Sequence, residues 1–206
     1  AGVAILSGTD RFLNIQGVAG AGKSTLLGAL DKVLGAEGVK LIGLAFQNKM
    51  VADLRGGASG TMSVEQMKEA GIEAWTIAGF INKHGSAAAQ GSGERFAASK
   101  AALSNTVIIT DESSMVSSRD MLRLTAIAEQ LDVAKAPFMG DRQQLSAIEQ
   151  GKMFAVSQAA GQATVRMDEN IRQRNSPLLL AVAGLSNEGH ASLALDLLAA
   201  HGRVIE

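Results

Sequence analysis

The chain has 206 residues, 47% hydrophobic and 19% charged, which excludes a disordered protein and admits one sizeable α/β domain with part of a second. Its net charge of -1 argues against bulk electrostatic binding of nucleic acid but not against a local groove over a few phosphates. Without cysteine it has no disulfide or thiolate metal site, and with no apolar run of membrane-spanning length and no signal pattern its expected place is the cytoplasm.

In chain order, Phe12-Leu-Asn-Ile15 is a short apolar run that stops at Gly17 and reads as a buried strand. Gly17–Gly22 is too rich in glycine for a regular element. Lys23–Leu34 carries Leu26, Leu27, Leu30, Val33 and Leu34 at helical spacing, and Val39–Leu44 is a second strand, so the chain opens on a βαβ unit. Ser63 with Gln66 reads as a capping box that opens a helix ending at Gly71. Thr76–Asn82 predicts a short helix, and the small, polar stretch Gly85–Gly93 a loop. Val107–Ile109 is a strand, Met121–Leu131 a helix, Ala136–Met139 a fourth strand and Ala163–Met167 a fifth. Residues Ser176–Ala200 read as two helices divided near Gly189. The alternation implies a mostly parallel sheet with helices on both faces, in which ligands sit at the carboxyl ends of the strands. The polar motifs all lie just after predicted strands.

Gly17-Val-Ala-Gly20-Ala21-Gly22-Lys23-Ser24 satisfies G-x-x-x-x-G-K-[ST] in full and sits between a strand and a helix. Glycines let successive backbone N–H groups curl around one anion, and the helix behind them adds the positive end of its dipole. Lys23 supplies a point charge for the β- and γ-phosphates, Ser24 a hydroxyl for Mg²⁺, and Thr25 a phosphate contact. Mg²⁺ and ATP are the expected cofactor and substrate. The plainer alternative is a glycine-rich turn beside a surface lysine. The run Val107–Thr110 ends in Asp111-Glu112. Asp111 is suited to the Mg²⁺ shell and Glu112 to taking a proton from an attacking water, which leans the chemistry towards hydrolysis. A solvated acidic turn is the alternative. Trp75 reads either as a base-stacking residue or as a packed one. His84, His190 and His201 lack ligand spacing, and the methionines read as core fillers.

In order, these motifs resemble the superfamily 1 helicases of the RecD-like branch. Asp111-Glu-Ser-Ser-Met115 is similar to their D-E-[AS]-S-M signature, Gly140-Asp-Arg-Gln-Gln144-Leu145 to G-D-x-x-Q-L, and Glu169-Asn-Ile-Arg172-Gln173 to the motif with an arginine before a glutamine. Glu73-Ala-Trp-Thr76-Ile-Ala-Gly-Phe80 looks like their Thr-containing motif between the phosphate loop and the Asp-Glu pair, and Thr9–Phe12 before the phosphate loop resembles the helicase part of conjugative relaxases. The resemblance implies a RecA-like P-loop NTPase fold and a 5′-to-3′ helicase motor. It assigns Gln144 to sensing the γ-phosphate, Asp141 to the Mg²⁺ and phosphate network, and Arg172 to an arginine-finger role. Thr76 and the segment around Asn48 and Lys49 would lie on the single-stranded DNA path, with Thr61–Ser63 as an alternative to the latter. It divides the chain into an ATP-binding domain over 1–168 and the start of a following helicase segment over 169–206. The partners implied are single-stranded DNA, a second RecA-like lobe and a relaxase domain, with no membrane. The chain has no tyrosine to serve as a nicking nucleophile. It reads as a piece of something longer, with no adenine-contacting glutamine segment ahead of the first strand. Two other functions compete: a vestigial helicase module that grips DNA without hydrolysing ATP, and a small-molecule kinase.

Overall fold

The computed structural model describes residues 1–17, 21–46, 63–69, 71–142, 152–167 and 176–203. Among them, β1 Asn14–Gly17, β2 Lys40–Ala45, β3 Glu73–Thr76, β4 Thr106–Thr110, β5 Phe138–Gly140 and β6 Thr164–Met167 form one sheet. The order across it is β3-β2-β4-β5-β1-β6, and every pairing is parallel. The helices are α1 Gly2–Ser7, α2 Lys23–Ala36, α3 Val64–Glu69, α4 Ile77–Gln90, α5 Glu94–Leu103, α6 Ser118–Gln130, α7 Met153–Ala159, α8 Pro177–Asn187 and α9 Ala191–Ala200.

The strands are apolar on both faces because both faces are covered. In β4, Val107 and Ile109 join a core with Leu27 and Leu30 of α2 and Met67 of α3. Ile108, between them in sequence, joins the opposite core with Phe80 and Ile81 of α4 and Leu124 and Ile127 of α6. β2 alternates likewise, Leu41 and Ala45 on the first face and Ile42 and Leu44 on the second. Side chains that are fully buried in this way, such as Ile109, each contribute on the order of 1.5–3 kcal/mol relative to exposure. Since the two cores grip the same strands, the carboxyl ends of β1, β4 and β5 are held side by side. Every candidate phosphate-handling motif begins at one of those ends or just beyond β6.

The expected parallel α/β sheet with helices on both faces is present. Several elements differ from the sequence reading. The first strand runs over Asn14–Gly17 and not Phe12–Ile15, because Asn14–Gly17 pairs with β6 in unbroken register while Phe12 is only partly buried. The fourth expected strand begins later, at Phe138, although Ala136 N still donates to Arg11 O at 2.7 Å. β3 was not expected at all. The short helix of Thr76–Asn82 continues to Gln90, so Gly85–Gln90 is helix and not loop. Ala87 and Ala88 are buried on that stretch, and the helix stops at Gly91, whose φ of 66° is open to glycine at little cost. α5 and α7 are also additional, while α8 and α9 meet the expected division near Gly189, which has a φ of 84°.

His84, on α4, is buried. Its Nδ1 lies 3.3 Å from Ser99 Oγ and its ring stands 4.8 Å from that of Phe80. Burial lowers its pKa below the ordinary 6.5, helped by the neighbouring Lys83 ammonium and opposed by Glu73. The folded state therefore holds fewer protons than the unfolded chain just below that value, and stability rises with pH there. We expect stability to be full above pH 6.5 and to fall progressively as the pH drops from there towards the lowered folded-state value. Urea titrations across this range check it, and a His84→Gln variant should lose that part of the slope.

Candidate nucleotide site

β1 delivers the chain to Gly17 at the sheet's carboxyl edge, between β5 and β6 and one strand in from the side. α2 starts at Lys23, directly after Gly22, whose backbone is left-handed (φ 80°, ψ 28°). α4, α6 and α8 begin on Thr76, Ser117 and Ser176, each of which accepts a backbone N–H in its own side chain. Gly22 has no side chain to do so, nor do the residues before α1, α5, α7 and α9 cap those helices; what marks α2 is that it starts beside the carboxyl end of β1, with Lys23 folded back onto Gly17 O. That is the arrangement that receives an anion. Lys23 is buried at 3% exposure, and its Nζ donates to Gly17 O at 3.2 Å. A Cβ at Gly17 would come within 3.3 Å of Lys23 Cδ, so glycine there lets the lysine fold back over the strand end. A buried ammonium needs oxygen atoms around it, and phosphates are suited to supply those that Gly17 O does not. Ala21 is buried and Thr25 exposed.

β4 ends in Asp111, 1% exposed, whose N–H donates to Leu44 O of β2 at 2.8 Å. Asp111 Oδ1 accepts from the Glu112 N–H at 2.8 Å. Glu112 sits in the left-handed region (φ 51°, ψ 39°), a conformation that costs a residue with a Cβ about 1–2 kcal/mol. The cost is met by a tight one-turn 3₁₀ segment at Ser113–Met115, in which Ser113 Oγ donates to Thr110 O (2.9 Å) and Met115 N to Glu112 O (2.8 Å). Such strain gathers at functional sites, where it aims a side chain away from the strand direction. Asp111 and Glu112, adjacent in sequence, thus differ in backbone, with Asp111 closing the strand and Glu112 turning off it.

β5 lies between β1 and β4, so Gly140 and Asp141 emerge between the phosphate loop and the acidic pair. The turn after β4 rests directly on Gly140. A Cβ there would stand 3.0 Å from Ser114 N and 3.1 Å from Ser113 N, which explains why glycine opens this motif. Asp141 is 3% exposed, and its Oδ1 accepts from Gln16 Nε2 at 2.9 Å. Gln16 was not singled out in the sequence. Its Oε1 also accepts from Arg142 N (3.2 Å) and Gln158 Nε2 (3.3 Å). Two places before it, Asn14 is fully buried, with Nδ2 donating to Ser157 Oγ at 3.1 Å. Amides at alternate positions of an otherwise apolar strand were the available signal for both.

Trp75 and Thr76 lie apart from these groups, on the edge strand β3. Thr76 Oγ1 accepts from Gly79 N at 3.0 Å and so caps α4. The Trp75 ring packs partly into the core, its Nε1 donates to Glu73 Oε1 at 2.9 Å, and the Lys83 ammonium stands 4.3 Å from its centroid. Glu73 is itself paired with Lys40. Burial raises the Glu73 pKa, but the hydrogen bonds from Lys40 and Trp75 and the charges of Lys40 and Lys83 leave it lowered on balance. The structure therefore gathers Gly17, Ala21, Gly22, Lys23, Asp111, Glu112 and Asp141 at neighbouring strand ends and sets Trp75 and Thr76 at the sheet's edge. Gly20, Asn48, Lys49, Gln144 and Arg172, the Ser24 side chain, and the alternative DNA contacts Thr61 and Met62 lie outside the described residues.

A family model described as an AAA domain matches residues 1–206. The chain belongs to the AAA domain family. This AAA domain is 32% identical over 187 residues to the multifunctional conjugation protein TraI of Escherichia coli, a match that covers 89% of the chain and 10% of TraI. It is 28% identical over 201 residues to a probable conjugal transfer protein TraA of Sinorhizobium fredii, covering 97% of the chain and 16% of TraA. The chain thus spans about a tenth to a sixth of the length of these relatives. Among solved structures, it superposes on the Pif1 helicase from Candida albicans with a TM-score of 0.56 at 21% identity, covering 89% of this chain and 41% of that one. The helicase resemblance read from the motif order is borne out, and the RecA-like P-loop fold with it. The chain is a helicase-like AAA domain with a nucleotide-binding architecture. Among its described residues no helix is long and apolar enough to cross a membrane.

Proposed function

We propose that this AAA domain is the ATP-hydrolysing motor of a 5′-to-3′ DNA helicase within a cytoplasmic conjugative relaxase-helicase. The observation that carries the reading is the meeting of three motifs at adjacent strand ends: the uncapped helix start with buried Lys23, the Asp111-Glu112 turn and Asp141. In this reading the N–H groups around Gly17–Thr25, with Lys23, hold the triphosphate. Ser24 and Asp111 would hold Mg²⁺, which would draw off charge from the phosphates when bound. Glu112 takes the proton of the attacking water. Gln144 reads the γ-phosphate through an amide that can both donate and accept, and Arg172 neutralises charge in the transition state. Loss of the γ-phosphate then alters closure against a second RecA-like lobe and moves the domain along single-stranded DNA. Asn48, Lys49, Thr76 and Trp75 contact that strand. Residues 1–168 make up the ATP-binding domain and 169–206 begin the next segment.

The likeness to TraI and TraA supports the conjugation setting, and the likeness to Pif1 supports the fold. Strand displacement by the full-length protein tests the direction. Partial duplexes with a 5′ single-stranded tail should be unwound with Mg-ATP, and those with a 3′ tail should not. Unwinding from the 3′ tail alone would overturn the polarity.

A further inference from the structure

β1 has two unlike faces. Ile15 points into the core beneath α2, while Asn14 and Gln16, two positions apart, share the other face against α7. Burying a primary amide is costly unless both of its ends are matched. Gln16, 7% exposed, is matched at both: its Nε2 donates to Asp141 Oδ1, and its Oε1 accepts from the Arg142 N–H and from Gln158 Nε2. One amide thereby ties together the strand that enters the phosphate loop a single residue later, the turn that leaves β5, and α7. Its polarity suits its partners, with the donor end on the carboxylate and the acceptor end on N–H groups.

We propose that Gln16 is a positioning residue of the nucleotide site, which fixes the Asp141 carboxylate and the Gly140–Arg142 turn in place relative to the phosphate loop. The proposal rests on the ATP-hydrolysis reading and assigns Gln16 no contact with reacting atoms. It acts through Asp141. Methionine has the same length but would leave Asp141 Oδ1 and the Arg142 N–H without this partner. Glutamate keeps the acceptor end and loses the donor, setting a second carboxylate beside Asp141.

The test is steady-state ATP hydrolysis by the full-length protein, with thermal unfolding recorded for each variant. Gln16→Met and Gln16→Glu should each lower kcat about 10–100-fold, the range seen when groups that orient a site are removed, while KM for ATP stays at the wild-type value. In an Asp141→Ala background, where Gln16 Nε2 has already lost its carboxylate partner, the further loss from Gln16→Met should shrink to the part carried through the Arg142 N–H. Unchanged kcat in both Gln16 variants, a raised KM with kcat intact, or losses that multiply in the double variant would overturn the proposal. Loss of folding in both would assign Gln16 to stability and overturn it equally. A wild-type protein that hydrolyses no ATP removes the ATPase reading and this one together, whereas an active wild type with normal Gln16 variants removes this one alone.

Discussion

Lys23→Ala is expected to weaken nucleotide binding at least ~100-fold, the size that follows when a buried charge is taken from its partner. The expectation follows from where the lysine is held. Its ammonium is buried against Gly17 O at the start of an uncapped helix, so a bound triphosphate would meet it in a setting that water screens poorly. Alanine removes the charge and leaves the helix dipole and the loop N–H groups, which retain some anion affinity. The fold should survive, because the lysine's stem packs over the strand end and contributes no core layer of its own. Titration with a fluorescent ATP analogue checks the effect, with circular dichroism confirming structure. Affinity at the wild-type level would mean that the glycine-rich turn is not a phosphate loop.

The second large effect is expected at Glu112. Glu112→Gln should lower turnover about 10²–10⁴-fold, the range for removing a general base, while ATP binding persists. Glutamine preserves length and shape, and the left-handed backbone is braced by the Asp111 carboxylate and the Ser113–Met115 turn, which the substitution leaves in place. The variant should therefore trap ATP in single-turnover experiments. A variant that hydrolyses ATP at the wild-type rate would reduce Glu112 to a structural corner.

The central strands were legible in the sequence because both of their faces are buried, which leaves runs such as Val107–Ile109 without polar breaks. β3 was not, because it is four residues long, lies at the edge and mixes half-exposed Glu73 and Trp75 with buried Ala74. The second half of α4 was hidden by its composition. Gly85, Ser86 and the alanines suggest a loop by their small size, yet alanine is the best helix former, and these small residues let α4 lie close to α6. In the candidate site, the Gly17–Ser24 motif and the Asp111-Glu112 pair were legible from pattern and placement, while Asp141 entered through the family resemblance. Gln16 and Asn14 were not, since their alternate spacing marks only a shared strand face, and their purpose shows when Asp141 and Ser157, distant in sequence, are brought beside them. The left-handed backbone at Glu112 was likewise invisible, because the hydrogen bonds around it, from the Asp111 carboxylate and within the Ser113–Met115 turn, form only in the folded chain.

The central claim is a motor driven by nucleotide and governed by DNA. ATP hydrolysis by the full-length protein, measured with and without single-stranded DNA, tests it most directly. Mg²⁺-dependent turnover should rise when single-stranded DNA is added and be lost in Lys23→Ala and Glu112→Gln. DNA binding that is indifferent to ATP, with no turnover in the wild-type protein, would contradict it and leave the domain as a grip on the strand.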